Sequence, residues 1–303
     1  MKPTEPIKTV LFACLAALLA VTGCTRPETV SRGSSIYTDE LGRQVAIDGP
    51  PKRIISLAPS VTEMLFAIGV GDRVIGVTSW CDYPEAAAKI EKIGDTLHPD
   101  LERIIALKPD LVVITTSSQL ETLSRQLDRL SIPVFVVDPK TVRGVAYSIQ
   151  VLGRVTGSAE AADVAAEMER RIRAVEANRG DAPGPRVLFV LQDAPLITAG
   201  RNTFINDLIT LAGGISISGD ETADYPQYSR ETVIARAPEA IIVPGIHGTG
   251  AIDVKALARA FATTPAIRND RIIRVNPDWV SRPGPRLVDG LEQLAAALQH
   301  RER

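Results

Sequence analysis

The stretches LERIIALKPDLVVI at residues 101–114 and RETVIARAPEAIIV at residues 230–243 are two versions of one local structure. At one constant offset Glu102 falls on Glu231, Ile105 on Ile234, Ala106 on Ala235 and Pro109 on Pro238, and Asp110 matches Glu239 in charge. In the first copy Asp100 is placed to cap a short helix over residues 101–107. Lys108-Pro109-Asp110 breaks that helix, because the residue before a proline is pushed out of helical geometry, and Leu111 to Ile114 is apolar enough for a buried strand. In the second copy Ser229 takes the cap, residues 230–236 the helix, Pro238 the break and residues 240–243 the strand. The tripeptide DYP also occurs twice, at residues 82–84 and 224–226. A repeat this long lies far outside the period of about 20–50 residues that marks a solenoid, and reads as a duplicated lobe.

The surroundings of each copy follow the same grammar. Arg53 to Leu57 is a short apolar strand, Ala58-Pro59-Ser60 leads into a helix ended by Gly69 and Gly71, and the strand RVIGVTS follows directly. This β-α-β spacing predicts parallel sheets covered by helices, an α/β fold. Arg186-Val-Leu-Phe-Val-Leu opens the second lobe as Arg53-Ile-Ile-Ser-Leu opens the first. Between them residues 142–155 and 159–178, the latter capped by Ser158, read as helix, with Ala161, Val164, Met168, Ile172 and Val175 at helical spacing. Upstream, YTDELGRQVAIDG predicts a hairpin turning at Leu41-Gly42. The expected organisation is a leader over 1–23, a tether and hairpin over 24–52, a first lobe over 53–140, a helical connector over 141–180 and a second lobe over 181–303. A cleft between such lobes is a favoured small-molecule site.

Lys2 and Lys8 precede an apolar run from Val10 to Val21. That run is shorter than the about 20 residues a membrane-crossing helix needs, but it suits a secretory signal. Its ending, VTGC, resembles the bacterial lipobox, which predicts Cys24 as a lipidated mature N-terminus and a periplasmic or cell-surface location. The chain has 34 Lys and Arg against 36 Asp and Glu, with no basic run, which argues against a nucleic-acid partner. Of Cys14, Cys24 and Cys81 only Cys81 would remain in the mature body, so stability must come from a hydrophobic core and not from a disulfide framework.

No G-x-S-x-G or Gly-rich phosphate loop is present, and His98, His247 and His300 are not spaced to hold zinc. No spacing selects a catalytic pair of carboxylates either, so no catalytic residue, bound metal or catalytic cofactor is expected. An envelope hydrolase built on the same lobes is the alternative from a different class. The distribution of aromatics is more informative. The chain has only 2 Trp, 5 Tyr and 6 Phe, yet Trp80 and Tyr83 lie beside and within the first DYP, Tyr225 and Tyr228 within and beside the second, and Trp279 lies in PDWVSRPGPR. Rings in loops after strands either stack on a ligand or pack the interface between lobes. In the last segment Arg282 can bind a ligand carbonyl or phosphate, or close an ion pair with Asp278; Arg286 adds charge beside them.

The segments RIISLAPSVTEMLFAIGVGDRVIGVTSWCDYP, LERIIALKPDLVVI, TAGRNTFINDLITLAGG, YPQYSRETVIARAPEAIIV and NPDWVSRPGPRLVDGLEQLAAAL together resemble the vitamin B12-binding proteins of ABC importers, in order and over nearly the whole mature chain. These belong to a helical-backbone class of substrate-binding proteins that also carries siderophores and haem. The resemblance implies two Rossmann-like lobes with parallel sheets joined by a long rigid helix, cobalamin or a related corrinoid in the cleft, and delivery to a permease dimer with its ATPase subunits. Haem or a ferric siderophore is the alternative cargo. Trp80, Tyr83, Tyr225, Asp278 and Arg282 match family pocket positions, but near Thr96-Leu97 and Thr115-Thr116 this chain lacks further aromatic rings, and it has no cysteines for a disulfide in the second lobe. Glu102 and Glu231 follow helix caps, where an acid stabilises a helix N-terminus whatever else it does. In the resembled family a glutamate on each lobe docks on permease arginines, which implies the same role for this pair.

Overall fold

The computed structural model describes residues 34–116, 120–180, 183–245 and 252–299, and residues 35–303 belong to one compact unit. Strands β1 (Ser34–Thr38) and β2 (Gln44–Asp48) form the expected hairpin. Its turn is closed by Asp39, whose carboxylate accepts from the Leu41 and Arg43 N–H groups, and by Gly42, whose φ of 79° suits a residue without Cβ.

The first sheet is built from β3 (Ile54–Ser56), α1 (Pro59–Ala67), β4 (Val74–Val77), α2 (Glu85–Ala88), α3 (Leu101–Ala106), β5 (Leu111–Ile114), α4 (Leu120–Asp128) and β6 (Val134–Val136). Its strands are parallel in the order β4-β3-β5-β6. Two helices follow, α5 (Val142–Thr156) and α6 (Ala161–Ala177). The second sheet then comes from β7 (Arg186–Phe189), a small hairpin of β8 (Gln192–Asp193) and β9 (Leu196–Ile197), α7 (Phe204–Leu211), β10 (Ile215–Ser216), α8 (Arg230–Arg236), β11 (Ala240–Pro244), α9 (Val254–Ala260), α10 (Pro265–Arg268), β12 (Ile272–Val275), α11 (Pro277–Val280) and α12 (Leu287–Gln299). Its order, β10-β7-β11-β12, repeats the first: the second strand flanks the first on one side, the third and fourth lie on the other. The two DYP loops therefore follow equivalent strands, β4 and β10.

The repeated sequence marks a repeated clamp. The Asp100 carboxylate accepts from the Arg103 N–H and the Ser229 hydroxyl from the Thr232 N–H, so both expected caps are made. The helices end at Lys108 and Ala237, with φ of 47° and 45°, a left-handed stop ahead of each proline. Asp110 then accepts from the Lys52 and Arg53 N–H groups at 2.8 and 2.9 Å, and Glu239 from the Arg186 N–H at 2.9 Å. Arg53 and Arg186 each return a side-chain bond to the end of the matching helix, on Leu107 O and Ala237 O. Each central strand is thus fastened to its neighbour at the point of entry, which explains why the acid recurs at residues 110 and 239.

The joining element is a pair of helices packed closely across a short turn, where a Cβ on Gly153 would lie 2.2 Å from that of Ala161. Ser158 does not cap α6 directly: it lies two residues before the N-cap Glu160, accepts from the Glu160 N–H and donates to Ile68 O, tying the turn to the end of α1. One hydrophobic cluster runs without a break from α1 (Val61, Met64, Leu65) through α5 and α6 (Ile149, Leu152, Met168, Ile172) to α7 and α12 (Ile205, Leu208, Leu291, Leu294). Each such side chain contributes about 1.5–3 kcal/mol relative to exposure. The opposite face of each sheet has its own smaller cluster, around Ile104 and Val112 in the first and Val233 and Ile241 in the second.

Candidate functional site

In open parallel sheets the loops after the strands' carboxyl ends gather on one edge, and ligands bind there. Loops of both sheets meet at such an edge around a cleft of about 380 Å³. Ala58, Pro59 and Ser60 after β3, Thr115 and Thr116 after β5 and Val137 to Lys140 after β6 form one wall. Asn202, Thr203 and Phe204 at the start of α7, Asp224 and Tyr225 in the second DYP, and Ser281 to Pro283 form the other. Because α3 and α8 run back against their strands, their N-termini reach the same edges, and Glu102 and Glu231 are exposed there, one per sheet. Glu231 is held below the usual carboxylate range by its own backbone N–H and by the Ser229 hydroxyl.

Of the residues singled out in the sequence, Tyr225 and Arg282 line the cleft; Trp80, Tyr83 and Asp278 do not. Trp80 and Tyr83 stand in the loop after β4, 56% and 46% exposed. The Tyr83 ring lies under the Arg286 guanidinium, 3.9 Å from ring centre to carbon. Tyr228 is buried in the second sheet's cluster with its hydroxyl on Glu221, and Trp279 packs on the central core, so these two rings serve packing. Tyr225 is 55% exposed, yet its phenol is raised above its ordinary value, first by the cleft walls that shut water from it and then by Asp224 and Asp138, against the opposing charge of Lys140.

Arg282 does pair with Asp278, at 3.2 Å, within a larger network. Glu63, on α1 and only 3% exposed, accepts from Arg286 at 2.9 and 2.6 Å and approaches Arg282 at 3.5 Å. Asp82, of the first DYP, pairs with Arg282 at 2.7 Å, and Asp278 reaches Arg286 at 3.5 Å. Burial alone would lower both guanidinium values; Asp82, Asp278 and Glu63 around Arg282, and Glu63 and Asp278 around Arg286, more than offset it and raise them. Gly284 borders this network: a Cβ there would make an ordinary contact with the Glu63 carboxylate, at 3.4 Å. The network joins α1 and the β4 loop, which follow strands of the first sheet, to the loop after β12 of the second. Sequence reasoning missed Glu63, although a lone carboxylate inside the apolar run VTEMLFAI was a signal. It also missed Lys140 and Asp138, paired at 3.0 Å on the cleft wall. Cys81 is buried and unbridged, its sulfur against the hydroxyls of Thr62 and Thr78. Among the described residues no cluster of three or more His, Cys, Asp or Glu is placed to hold a metal ion, and no helix is long and apolar enough to cross a membrane.

A duplicated parallel sheet, a helical join and a polar cleft at the facing edges define a bilobal binding-protein architecture. Residues 54–279 match the family model described as periplasmic binding protein, and the chain belongs to that family. It is 36% identical to the vitamin B12-binding protein of Pectobacterium atrosepticum, over 82% of this chain and 88% of that one. It is similar in structure to the periplasmic vitamin B12-binding protein BtuF of Vibrio cholerae, with a TM-score of 0.72, 29% identity and coverage of 82% of this chain and 97% of that one. The periplasmic haem-binding protein RhuT of Roseiflexus sp. RS-1 superposes nearly as well, with a TM-score of 0.71, 28% identity and coverage of 82% and 97%.

Proposed function

We propose that the protein is the extracytoplasmic, lipid-anchored substrate-binding protein of an ABC importer, and that it captures cobalamin or a related corrinoid and delivers it to the permease. The observation that carries this reading is the cleft between the repeated sheets, lined by hydroxyls and an amide (Ser60, Thr115, Thr116, Asn202) beside the rings of Phe204 and Tyr225. A corrinoid offers a flat apolar macrocycle and a rim of amides, and such walls match both. The similarity to vitamin B12-binding proteins supports the same cargo. In this reading Trp80 and Tyr83 form the rim of the cleft, Tyr225 stacks, and Arg282, held by Asp278, presents its donors.

Haem is the second reading, favoured by the similarity to RhuT and by Tyr225 as a phenol on the cleft wall. His98 is bonded to Asp95 and does not line the cleft. Purified protein mixed with cyanocobalamin, haemin or a ferric siderophore and passed through gel filtration tests the reading: a retained corrinoid absorption band is expected, and retention of haemin alone would replace corrinoid by haem. Retention of nothing, with ester or glycoside turnover, would instead support a hydrolase.

Glu102 and Glu231, one on each sheet's loop edge, suit a two-fold permease dimer and are assigned to docking. Glu102→Lys with Glu231→Lys is expected to abolish transporter-dependent uptake at unchanged ligand affinity; normal uptake would leave them as helix-end charges. Cys24 lies outside the described residues. Mass spectrometry of membrane-extracted protein is expected to show it as an acylated N-terminus.

A further inference from the structure

The two described cations on the cleft walls are both engaged by carboxylates: Lys140 with Asp138, and Arg282 with Asp82, Asp278 and Glu63. With Asp224 on the same wall as Arg282, and with Arg286 behind Arg282, three cations are set against five carboxylates in and directly behind the cleft lining, among the described residues. That balance disfavours an incoming anion, because the charge of each cation is already offset by the acids it holds and a ligand carboxylate gains little by adding to them. A neutral amide has no such conflict: its carbonyl can share the outer edge of Arg282, and its N–H groups can be accepted by Asp138 or Asp224.

We propose that Asp82 and Asp138 are the specificity-determining residues of this cleft, selecting an uncharged, amide-rimmed ligand and rejecting polycarboxylate ligands of similar size. This rests on the corrinoid reading and sharpens it, because a corrinoid with intact side-chain amides and a porphyrin with two propionates are both flat and differ mainly in peripheral charge. Asp82 acts by screening Arg282, with a side chain 56% exposed and therefore replaceable without loss of the fold. Asp138 acts by occupying Lys140 and also accepts from the Thr116 hydroxyl at 2.7 Å.

The test uses cyanocobalamin, the same corrinoid with peripheral amides hydrolysed to carboxylates, and haemin, each titrated by visible absorption into wild type, Asp82→Asn and Asp138→Asn. Wild type is expected to favour the amide form over the carboxylate form by about tenfold or more, the scale of one nearby charge in a partly screened site. Each variant should narrow that preference and strengthen haemin binding relative to cyanocobalamin. High salt should narrow the wild-type preference more than that of the variants. If wild type retains cyanocobalamin but the preference is the same in both variants, the charge-selection role is overturned and the corrinoid reading stands. If wild type retains none of the three probes, the corrinoid reading falls and takes this inference with it.

Discussion

The two α/β halves agree in frame and differ in wall. Strand order, helix caps, the left-handed stops at Lys108 and Ala237, and the acids at residues 110 and 239 recur in both. The cleft walls do not recur. The first half brings Glu63, Asp82 and Asp138, mostly acids; the second brings Arg282 and Arg286 with Asp278 between them. Repetition serves folding, while the ability to choose a ligand lives in the positions where the halves diverged.

The sharpest way to break this comparison is at Glu63, which has no counterpart in the clamp. Glu63→Ala would leave two guanidiniums partly buried without their shared carboxylate, and a loss of about 3 kcal/mol is expected in urea unfolding. A loss below about 0.5 kcal/mol, the level of an ordinary surface change, would show that the wall is held elsewhere. Next are the rings. Tyr225→Ala is expected to weaken ligand binding by about 1–3 kcal/mol with little change in melting, and Trp80→Ala by less, since Trp80 does not line the cleft. Equal losses would place Trp80 inside the ligand's footprint.

The clamp itself can be graded. Asp110 accepts two backbone N–H groups and Glu239 one, so Asp110→Ala should cost about 1–2 kcal/mol and Glu239→Ala about half that. The smallest effect sharpens the likeness of the halves. Lys108→Gly and Ala237→Gly should each stabilise by about 0.5 kcal/mol, because glycine relieves the left-handed backbone but loses more entropy on folding. A gain in one half only would mean that the two turns are not equivalent.

The frame could be read from the sequence because its signals are local. Caps, Pro breaks and apolar runs act within a few residues, and both copies at 101–114 and 230–243 fold as their patterns require. Ser158 reads as a cap from its neighbours alone, but α6 starts only at Ala161, and the Ser158 hydroxyl, while accepting from the Glu160 N–H, donates to Ile68 O, distant in sequence. The wall was harder to read for the same reason. Arg282 could be seen beside Asp278, but its partners Asp82 and Glu63 lie about 200 residues away, and only the fold brings them together. Likewise, the loop position of Tyr228 leaves stacking and packing open, and it is the Glu221 and Arg236 side chains, brought in by the fold, that enclose it.

The single apolar cluster that runs from α1 through α5 and α6 to α12 also bears on how the chain comes apart. Each half alone would present to water the surface it now hides against the other half's helices, so a gene fragment encoding one sheet should yield aggregates and not a small soluble domain. Calorimetry of the whole protein should accordingly show one endotherm whose van't Hoff and calorimetric enthalpies agree, the behaviour of one cooperative unit and not of two tandem domains.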